Sequence, residues 1–456
     1  MAGLSPPTPA GLEAIHSACK KVYPDQPNPL QVTALVKFWL GGPDPLDYIS
    51  MYSNEGSPDQ GVPSHWHYVS FGLSDLHGDG RVHEFGGPNG PSGFGFELTL
   101  RLRREDGESS PPTWPAELMQ GLARYVFSTG NTLCPGDHVS WHVPLDNGDS
   151  RIQHMLMVED AQLAPVASNC GITHFVQILG ICQEELKAAQ QWNGKGMLQL
   201  LKKNAICGGP WLVTDMRRGE SVFELDPTFQ DAVDEGISRD GSDLTGVSSI
   251  CSWEDADGMV AVNNPLVDPQ FFQLCRRTPS GLTAIPELLS PGAQQRKELG
   301  DGEATTPVPA NGVGSGDEAM VGLDDGWKQG LNVPAELMRT RTLEFVHLKF
   351  TIEAGSLLPL ALKGRLLHGR HFTYKSSADD LAITFVCEGI AGAIADAEHP
   401  YAAHGPWLQV FIPRDFVPTM LDTMRELTTP DELIPNLPKE YRFEERKLLF
   451  TITAEE

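Results

Sequence analysis

The chain has 456 residues and a formal net charge of −26, and 40% of its residues are hydrophobic. This length fits two or more domains, each able to bury a core. Because an acidic chain repels a phosphate backbone, the charge argues against direct binding of nucleic acid and favours a basic or histidine-bearing partner. No apolar run approaches the ~20 residues that a membrane-spanning helix needs, so we expect no membrane partner.

Targeting and cysteine patterns indicate a reducing compartment. The first 15 residues lack the basic start and apolar stretch of a secretion signal. The eight cysteines are widely spaced, and none forms a Cys-x-x-Cys pair. We therefore expect an intracellular protein with reduced, mostly buried thiols.

The region up to about residue 250 mixes helical and strand patterns. Leu12, Ile15 and Cys19 recur at helical spacing, and a second helix is predicted from Val32. The clearest strand, residues 94–103, places apolar side chains on one face and polar ones on the other. Further strands are predicted over residues 65–71, 138–142, 152–158, 173–182 and 211–216, and further helices over residues 113–126, 184–192 and 197–202.

The periodicity is lost between residues 254 and 334, where Gly, Pro and small polar residues dominate. Such a composition buries too little apolar surface to offset the ~1–2 kcal/mol of backbone entropy lost per ordered residue. We interpret this segment as a flexible insert. Beyond it, strands are predicted over residues 343–351, 358–367, 371–375, 382–387, 407–412 and 448–453, and an amphipathic helix over residues 416–427. Mixed strand and helix order favours an α+β fold with two mixed-sheet domains joined through the insert.

Histidine pairs are the only hint of catalytic chemistry. His65 and His67 lie at i, i+2 on one predicted strand, and His138 begins another, but the glutamate of a zinc-protease motif is missing. No phosphate-binding loop, nucleophile elbow or dinucleotide fingerprint occurs. We predict no enzyme, no metal and no cofactor. Two alternatives stay open: a metal-dependent hydrolase built around these histidines, and a general acidic scaffold for kinases and adaptors.

Several unbroken strings resemble the Suppressor of fused family. They cover residues 22–34, 39–48, 111–127, 364–376 and 399–408. The resemblance extends over nearly all of both predicted folded regions and stops in the insert and at the two ends. It implies an N-terminal domain over residues 1–242, a peptide-facing strand over residues 243–253 that packs with the second domain, the insert over residues 254–334, and a C-terminal domain over residues 335–456.

The resemblance implies a binding protein without catalytic activity. In that family the two domains clamp an extended Ser-Tyr-Gly-His-Leu peptide from a Gli or Cubitus interruptus zinc-finger transcription factor, which adds as a strand. The implied outcome is sequestration of the factor in the cytoplasm, corepression in the nucleus and negative regulation of Hedgehog signalling. A link to the Fused kinase is also implied. We expect the insert to let the domains open when empty and close on the peptide.

The resemblance also implies the site residues. They are Tyr125, Leu133 and Asp137 in the first domain, Val247 and Ser249 on the facing strand, and Glu353, Leu357 and Arg370 from the second domain. Asp137 would select the peptide histidine through a charge-assisted hydrogen bond. Leu133 stands where the vertebrate family has an aromatic residue, and Ser249 where it has alanine.

Six of these eight positions also have a purely structural interpretation. Asp137 follows Pro135 and Gly136, as a turn residue would. Tyr125, Leu133 and Val247 could serve as core residues. Glu353 and Arg370 could form a surface ion pair, a contact worth less than ~1 kcal/mol.

Overall fold

The computed structural model describes residues 8–256 and 340–454 and confirms a mixed α+β fold built from three sheets. Most of the predicted insert lies outside the described residues. Its first predicted residue, Glu254, still belongs to a strand. No helix in the two described ranges is long and apolar enough to cross a bilayer.

The first domain contains one eight-stranded sheet with the order β1-β2-β3-β4-β8-β6-β5, and β7 pairs with β8. Its strands are β1 Leu30–Thr33, β2 Tyr48–Asn54, β3 His65–Phe71, β4 Pro91–Arg103, β5 His138–Ser140, β6 His154–Glu159, β7 Val166–Ser168 and β8 Gly171–Ile181. Its helices are α1 Ala10–Val22, α2 Trp114–Thr129, α3 Gln183–Gln191, α4 Gly194–Leu201, α5 Val222–Leu225 and α6 Thr228–Asp240.

Helices cover both faces of this sheet. Leu98 and Leu100 of β4 share a core with Met119 and Leu122 of α2 on one face. On the other face, α1 packs near one end, and α3, α4 and α6 pack on β6 and β8. The polar face predicted for β4 is therefore buried as well, so its side chains need internal partners.

Those partners form a buried network centred on Asp160. Arg101 of β4 donates from Nη2 to Asp160 Oδ1 at 2.9 Å, and both side chains are fully buried. His67 Nε2 donates to Asp160 Oδ2 at 3.0 Å, while His67 Nδ1 accepts from the Tyr23 hydroxyl at 2.7 Å. Arg101 also donates to His65 Nε2 at 2.9 Å. The network ties the end of α1 to the sheet.

The second domain contains a six-stranded sheet with the order β11-β15-β16-β14-β13-β9 and a four-stranded sheet with the order β10-β12-β18-β17. Its strands are β9 Gly246–Ser249, β10 Cys251–Glu254, β11 Thr340–Leu343, β12 Val346–Thr351, β13 Phe372–Ser376, β14 Ala382–Val386, β15 Tyr401–His404, β16 Trp407–Phe411, β17 Lys439–Phe443 and β18 Leu448–Thr453. Its helices are α7 Ile352–Gly355, α8 Leu358–Leu360, α9 Val417–Thr423 and α10 Pro430–Leu433.

Strands β9 and β10 precede the insert in the chain, yet they pair within the second domain. β9 runs parallel to β13, and β10 runs antiparallel to β12. One core of aromatic and aliphatic residues, including Trp253, Phe350 and Phe450, joins the two sheets.

Three predicted elements are wrong. The helix predicted from Val32 is one of them: β-branched Val32 and Thr33 end strand β1 and pair with β2, residues 34–37 form neither helix nor strand, and Phe38–Leu40 make a 3₁₀ turn. Residues 211–216 make a single bridge, Leu102 to Thr214, after a short 3₁₀ turn, because Leu212 has a φ of 51° and breaks the extended backbone.

The third error concerns residues 358–367, which are helical rather than a strand. Helix α8 continues into a π-helical turn, Ala361–Arg365, and a 3₁₀ turn, Leu366–His368. Leu358, Leu362 and Leu366 recur every four residues and are all buried. This spacing is helical, whereas the continuous apolar run of the same residues also fits a buried strand.

We predict that Asp160→Asn lowers the free energy of unfolding by ~3–5 kcal/mol at neutral pH, because Arg101 loses its buried counter-charge. Urea unfolding monitored by tryptophan fluorescence measures this loss. Asp149→Asn, at an exposed position, is the matched control and should leave stability unchanged. A fully stable Asp160→Asn protein would contradict the role of the network.

The pH dependence follows from the same contacts. Burial opposes ionisation of Asp160, but His67 and Arg101 outweigh it and hold the pKa of the Asp160 carboxyl well below 3.8. Its unfolded pKa is about 3.9. The stabilisation is therefore complete above the unfolded pKa and is lost as pH falls through the folded pKa. The asparagine variant should lack this acid-dependent loss.

Candidate functional site

The predicted site lies beside two sheet-edge strands: Asp137 directly precedes β5, and Val247 and Ser249 lie on β9. β5 is the last strand of the first domain's sheet, and β9 is the last strand of the six-stranded sheet. An edge strand has unpaired backbone N–H and C=O groups that can accept a further strand. The site is therefore built around two free edges, one in each domain.

A tight turn positions Asp137 at the start of β5. The Asp137 N–H donates to the Cys134 carbonyl at 2.9 Å, with Pro135 and Gly136 in the middle of the turn. Gly136 has φ +102°, the positive value that the third position of a type II turn requires. Gly136 then donates to the Met157 carbonyl, and the Met157 N–H donates to the Asp137 carbonyl, each at 2.8 Å. This pattern is a G1 bulge, which aims the Asp137 side chain.

Asp137 is half-buried, and its carboxylate is partly engaged by its own turn. Oδ2 accepts the Cys134 N–H at 2.8 Å. Burial raises the pKa of Asp137 above its ordinary value, against the opposing effects of that hydrogen bond and of Lys195. A carboxylate held in a partly desolvated place binds a cationic ligand more strongly than one in water. Asp137 is thus both a turn residue and a charge available at the edge of β5.

Tyr125 and Leu133 lie in the core of the first domain, beneath this turn. Their residues are 6% and 2% exposed, and both pack in the cluster that includes Val139 of β5. The Tyr125 hydroxyl accepts a hydrogen bond from Asn131 Nδ2 at 3.0 Å. Tyr125 and Leu133 pack under Val139, on the face of β5 opposite the His138 side chain.

The backbone of β5 offers hydrogen bonds outward. Because Gly136 and Asp137 together take the hydrogen-bonded position opposite Met157, His138 takes the non-hydrogen-bonded position opposite Leu156. The His138 N–H and C=O therefore point away from β6, toward the open side of the sheet.

The backbone of β9 does the same in the second domain. The Thr373 N–H donates to the Thr245 carbonyl, and the Ser377 N–H donates to the Ser249 carbonyl, each at 3.0 Å. With the two-residue alternation of a strand, the backbone groups of Gly246 and Ser248 face the open side. The side chains of Val247 and Ser249 point to the same face of β9, and Val247 packs against the second domain's core.

Charged side chains stand at the two ends of β9. Exposed Glu353 lies on α7, which follows Thr351, and the Thr351 N–H donates to the carbonyl of Ile250 at 3.3 Å, just after β9. Arg370 lies near the start of β9, where its Nη1 is 3.5 Å from Asp243 Oδ1. The predicted alternative of a Glu353–Arg370 ion pair is thus replaced by an Arg370–Asp243 pair.

Leu357 completes the second domain's contribution. It follows α7, is half-buried and packs against the same core as Val247. Apolar side chains thus lie below β9, while Glu353 and Arg370 lie at its ends.

One corner of the first domain contacts both the turn that precedes β5 and the segment that precedes β9. Gly194, at the start of α4, approaches the Gly136 carbonyl so closely that a Cβ there would lie 1.9 Å from it. Two residues earlier, the Trp192 carbonyl accepts the Asp243 N–H at 2.8 Å. The connection between α3 and α4 therefore holds the turn before β5 and the segment before β9 side by side.

Each edge strand also carries a buried polar atom without a partner in the described residues. These atoms are His138 Nε2 on β5 and Ser249 Oγ on β9. Burial lowers the pKa of His138 to about 4, so the ring is neutral at pH 7. Four further buried polar atoms in the described residues, among them His154 Nε2 and the Tyr374 hydroxyl, share this feature, so it does not single out the two edges.

Two of the histidines considered for a metal site, His65 and His67, have protein partners. His65 and His67 are fully buried, and their ring nitrogens are engaged in the Asp160 network and by the Pro63 carbonyl. Across residues 8–256 and 340–454, no group of three or more His, Cys, Asp or Glu side chains is arranged to hold a metal ion. The hydrolase alternative therefore has no support from the geometry of these histidines.

Sequence patterns did not identify the residues of the domain junction. Arg365 donates from Nη1 to the Ser242 carbonyl at 2.7 Å, and Ser242 donates its N–H to the Gly364 carbonyl at 2.7 Å. These partners are more than a hundred positions apart, and no local motif connects them. Only the glycine before Ser242, with φ +81°, offers a local sign of a special backbone.

The turn before β5 can be tested by substitution. Gly136→Ala should destabilise the first domain by ~1–2 kcal/mol, because alanine at positive φ is strained and its Cβ would lie 3.0 Å from Lys195 Cγ. Thermal unfolding measures the effect. Gly219→Ala is the control, since a Cβ at Gly219 meets open space. Equal stability of the two variants would contradict the strained turn.

Similarity to known proteins agrees with this architecture. The family model described as "Suppressor of fused protein (SUFU)" matches residues 42–219, and the one described as "Suppressor of Fused Gli/Ci N terminal binding domain" matches residues 231–452. The Mus musculus Suppressor of fused homolog is 55% identical over 454 residues, which covers 97% of this chain and 91% of that protein. The Homo sapiens homolog is 56% identical over 448 residues, with the same coverage of both.

One solved structure shows the same fold over the whole chain. The crystal structure of Drosophila Suppressor of Fused has a TM-score of 0.71 and 34% sequence identity, and the match covers 100% of both chains. A structure described as the Sufu-Fu complex has 49% identity and a TM-score of 0.48, and covers 50% of this chain and 98% of that one. From the relatives that match almost its whole length, the chain belongs to the Suppressor of fused family of Hedgehog-pathway regulators.

Proposed function

We propose that this protein sequesters a Gli or Cubitus interruptus transcription factor by clamping an extended Ser-Tyr-Gly-His-Leu peptide between β5 and β9. The observation that carries the proposal is the pair of free edges. The two strands belong to different domains, and one corner of the first domain contacts the approaches to both. A strand inserted there gains backbone hydrogen bonds on both sides.

The arrangement of side chains supplies selectivity for such a strand. Side chains on one face of the added peptide would pack beside Val139, which Tyr125 and Leu133 support from the core, with the Asp137 carboxylate at the rim. A protonated histidine fits this place, because its N–H donates to a carboxylate in a partly desolvated site. Side chains near the second domain meet Val247 and Leu357, with Ser249 Oγ open to a hydrogen bond and Glu353 and Arg370 at the two ends of β9.

Binding in this mode buries the peptide and removes it from other partners. The regulatory consequence is retention of the transcription factor in the cytoplasm and corepression in the nucleus, with less expression of Hedgehog target genes. We extend the proposal to a Fused-type kinase as a second partner, on family membership alone. The matched family model describes a Gli/Ci-binding domain, which supports the first partner directly.

Titration calorimetry with the Ser-Tyr-Gly-His-Leu peptide tests the proposal. Asp137→Arg should weaken binding at least ~100-fold, because a buried like charge replaces the carboxylate that pairs with the peptide histidine. Replacing the peptide histidine by alanine should cause a similar loss with the wild-type protein. When both changes are combined, the second should add little to the first, since both remove the same contact.

Asp149→Arg is the matched control, because it makes the same charge change at an exposed position in the loop before β6. It should bind the peptide as the wild type does. Circular dichroism and the unfolding midpoint check that Asp137→Arg remains folded. Undiminished affinity of a folded Asp137→Arg protein, or equal losses for the two variants, would refute the assignment of Asp137.

A further inference from the structure

Arg370 is held in the described structure by two oxygen acceptors beside β9. Its Nη1 donates to the Ser242 carbonyl at 3.1 Å and lies 3.5 Å from Asp243 Oδ1. The Arg370 and Asp243 side chains are 41% and 42% exposed, so the pair is open to solvent and to an incoming chain. An exposed ion pair of this kind is readily exchanged for another partner.

The Ser242 carbonyl does not depend on Arg370. Arg365 donates to the same oxygen from Nη1 at 2.7 Å and also donates from Nε to the His371 carbonyl at 2.9 Å. Arg365 is buried and fixed by these two bonds. If Arg370 leaves, the buried carbonyl keeps a donor, so its departure leaves no unsatisfied group at the junction.

The two guanidinium groups also repel each other. Burial and the charge of Arg370 together lower the pKa of Arg365 to about 10, against the opposing charge of Asp243. Asp243 is therefore the contact that compensates for placing a second cation beside Arg365. Arg370 moving outward would relieve this repulsion.

We propose that Asp243 is a built-in competitor that holds Arg370 until the peptide displaces it, after which Arg370 donates to a peptide carbonyl beyond the end of the β9 ladder. This inference rests on the proposed clamp and gives a role to Asp243, which is not one of the proposed peptide-contacting residues. The location fits, because Asp243 lies three residues before β9 and its own N–H is fixed to the Trp192 carbonyl.

The test is a double-mutant cycle measured by titration calorimetry with the Ser-Tyr-Gly-His-Leu peptide extended by two alanines at each end. Asp243→Asn should tighten binding by about two- to five-fold, the range that loss of one exposed ion pair permits. In an Arg370→Ala background, Asp243→Asn should not change the peptide affinity, because Asp243 then has no Arg370 guanidinium to pair with. Asp243→Ser should reproduce both results, which guards against a side effect of asparagine.

Glu235→Gln is the matched control. It removes one negative charge at an exposed position of α6 and does not alter the Arg370–Asp243 pair. It should leave the affinity unchanged. Unchanged or weaker binding by both Asp243 variants would overturn the role of Asp243. An equal gain in peptide affinity from Asp243→Asn in the Arg370→Ala background, or from Glu235→Gln, would also overturn it, since either result would show an effect of net charge alone. If the wild type fails to bind the peptide at all, the clamp itself is wrong and the Asp243 proposal falls with it.

Discussion

Unpaired backbone groups along β5 and β9 leave each of the two domains with an open sheet edge. A sheet edge left open in water invites association with any other strand, and proteins usually shorten or cover such edges. Here both edge strands are short, with three residues in β5 and four in β9. Their approaches are held together at the connection between α3 and α4. Two short edge strands can pair with a short peptide strand but offer few hydrogen bonds to a longer, unrelated strand.

Rigid support for the first edge comes from an unusual core. The face of β4 opposite α2 carries Glu97, Thr99 and Arg101, all fully buried. Such a core is stable only when every charge has a partner, and the Asp160 network supplies partners for Arg101 and His67. The same sheet then passes through β8 and β6 to β5. The turn that carries Asp137 is therefore attached to a sheet whose middle strands are packed on both faces.

Local features of the sequence predicted most elements, because their signals are short-range. The alternation of residues 94–103 predicted β4, and the Pro135–Gly136 pair indicated the turn that the structure forms. The spacing of Leu358, Leu362 and Leu366 contained a helical signal that an apolar run concealed. The junction could not be predicted in this way. Ser242 meets Arg365 across 123 positions, and such a contact follows only from how the domains pack. The positions of Glu353 and Arg370 at opposite ends of β9 depend on the same packing.

Residue-resolved hydrogen–deuterium exchange, with and without the Ser-Tyr-Gly-His-Leu peptide, tests the double-edge clamp most directly. The outward backbone amides of His138 on β5 and of Gly246 and Ser248 on β9 should exchange much more slowly when the peptide is bound. The opposite sheet edges, β1 and β11, are internal controls and should not change. Protection confined to one of the two clamp strands, or appearing at β1 or β11 instead, would contradict the account.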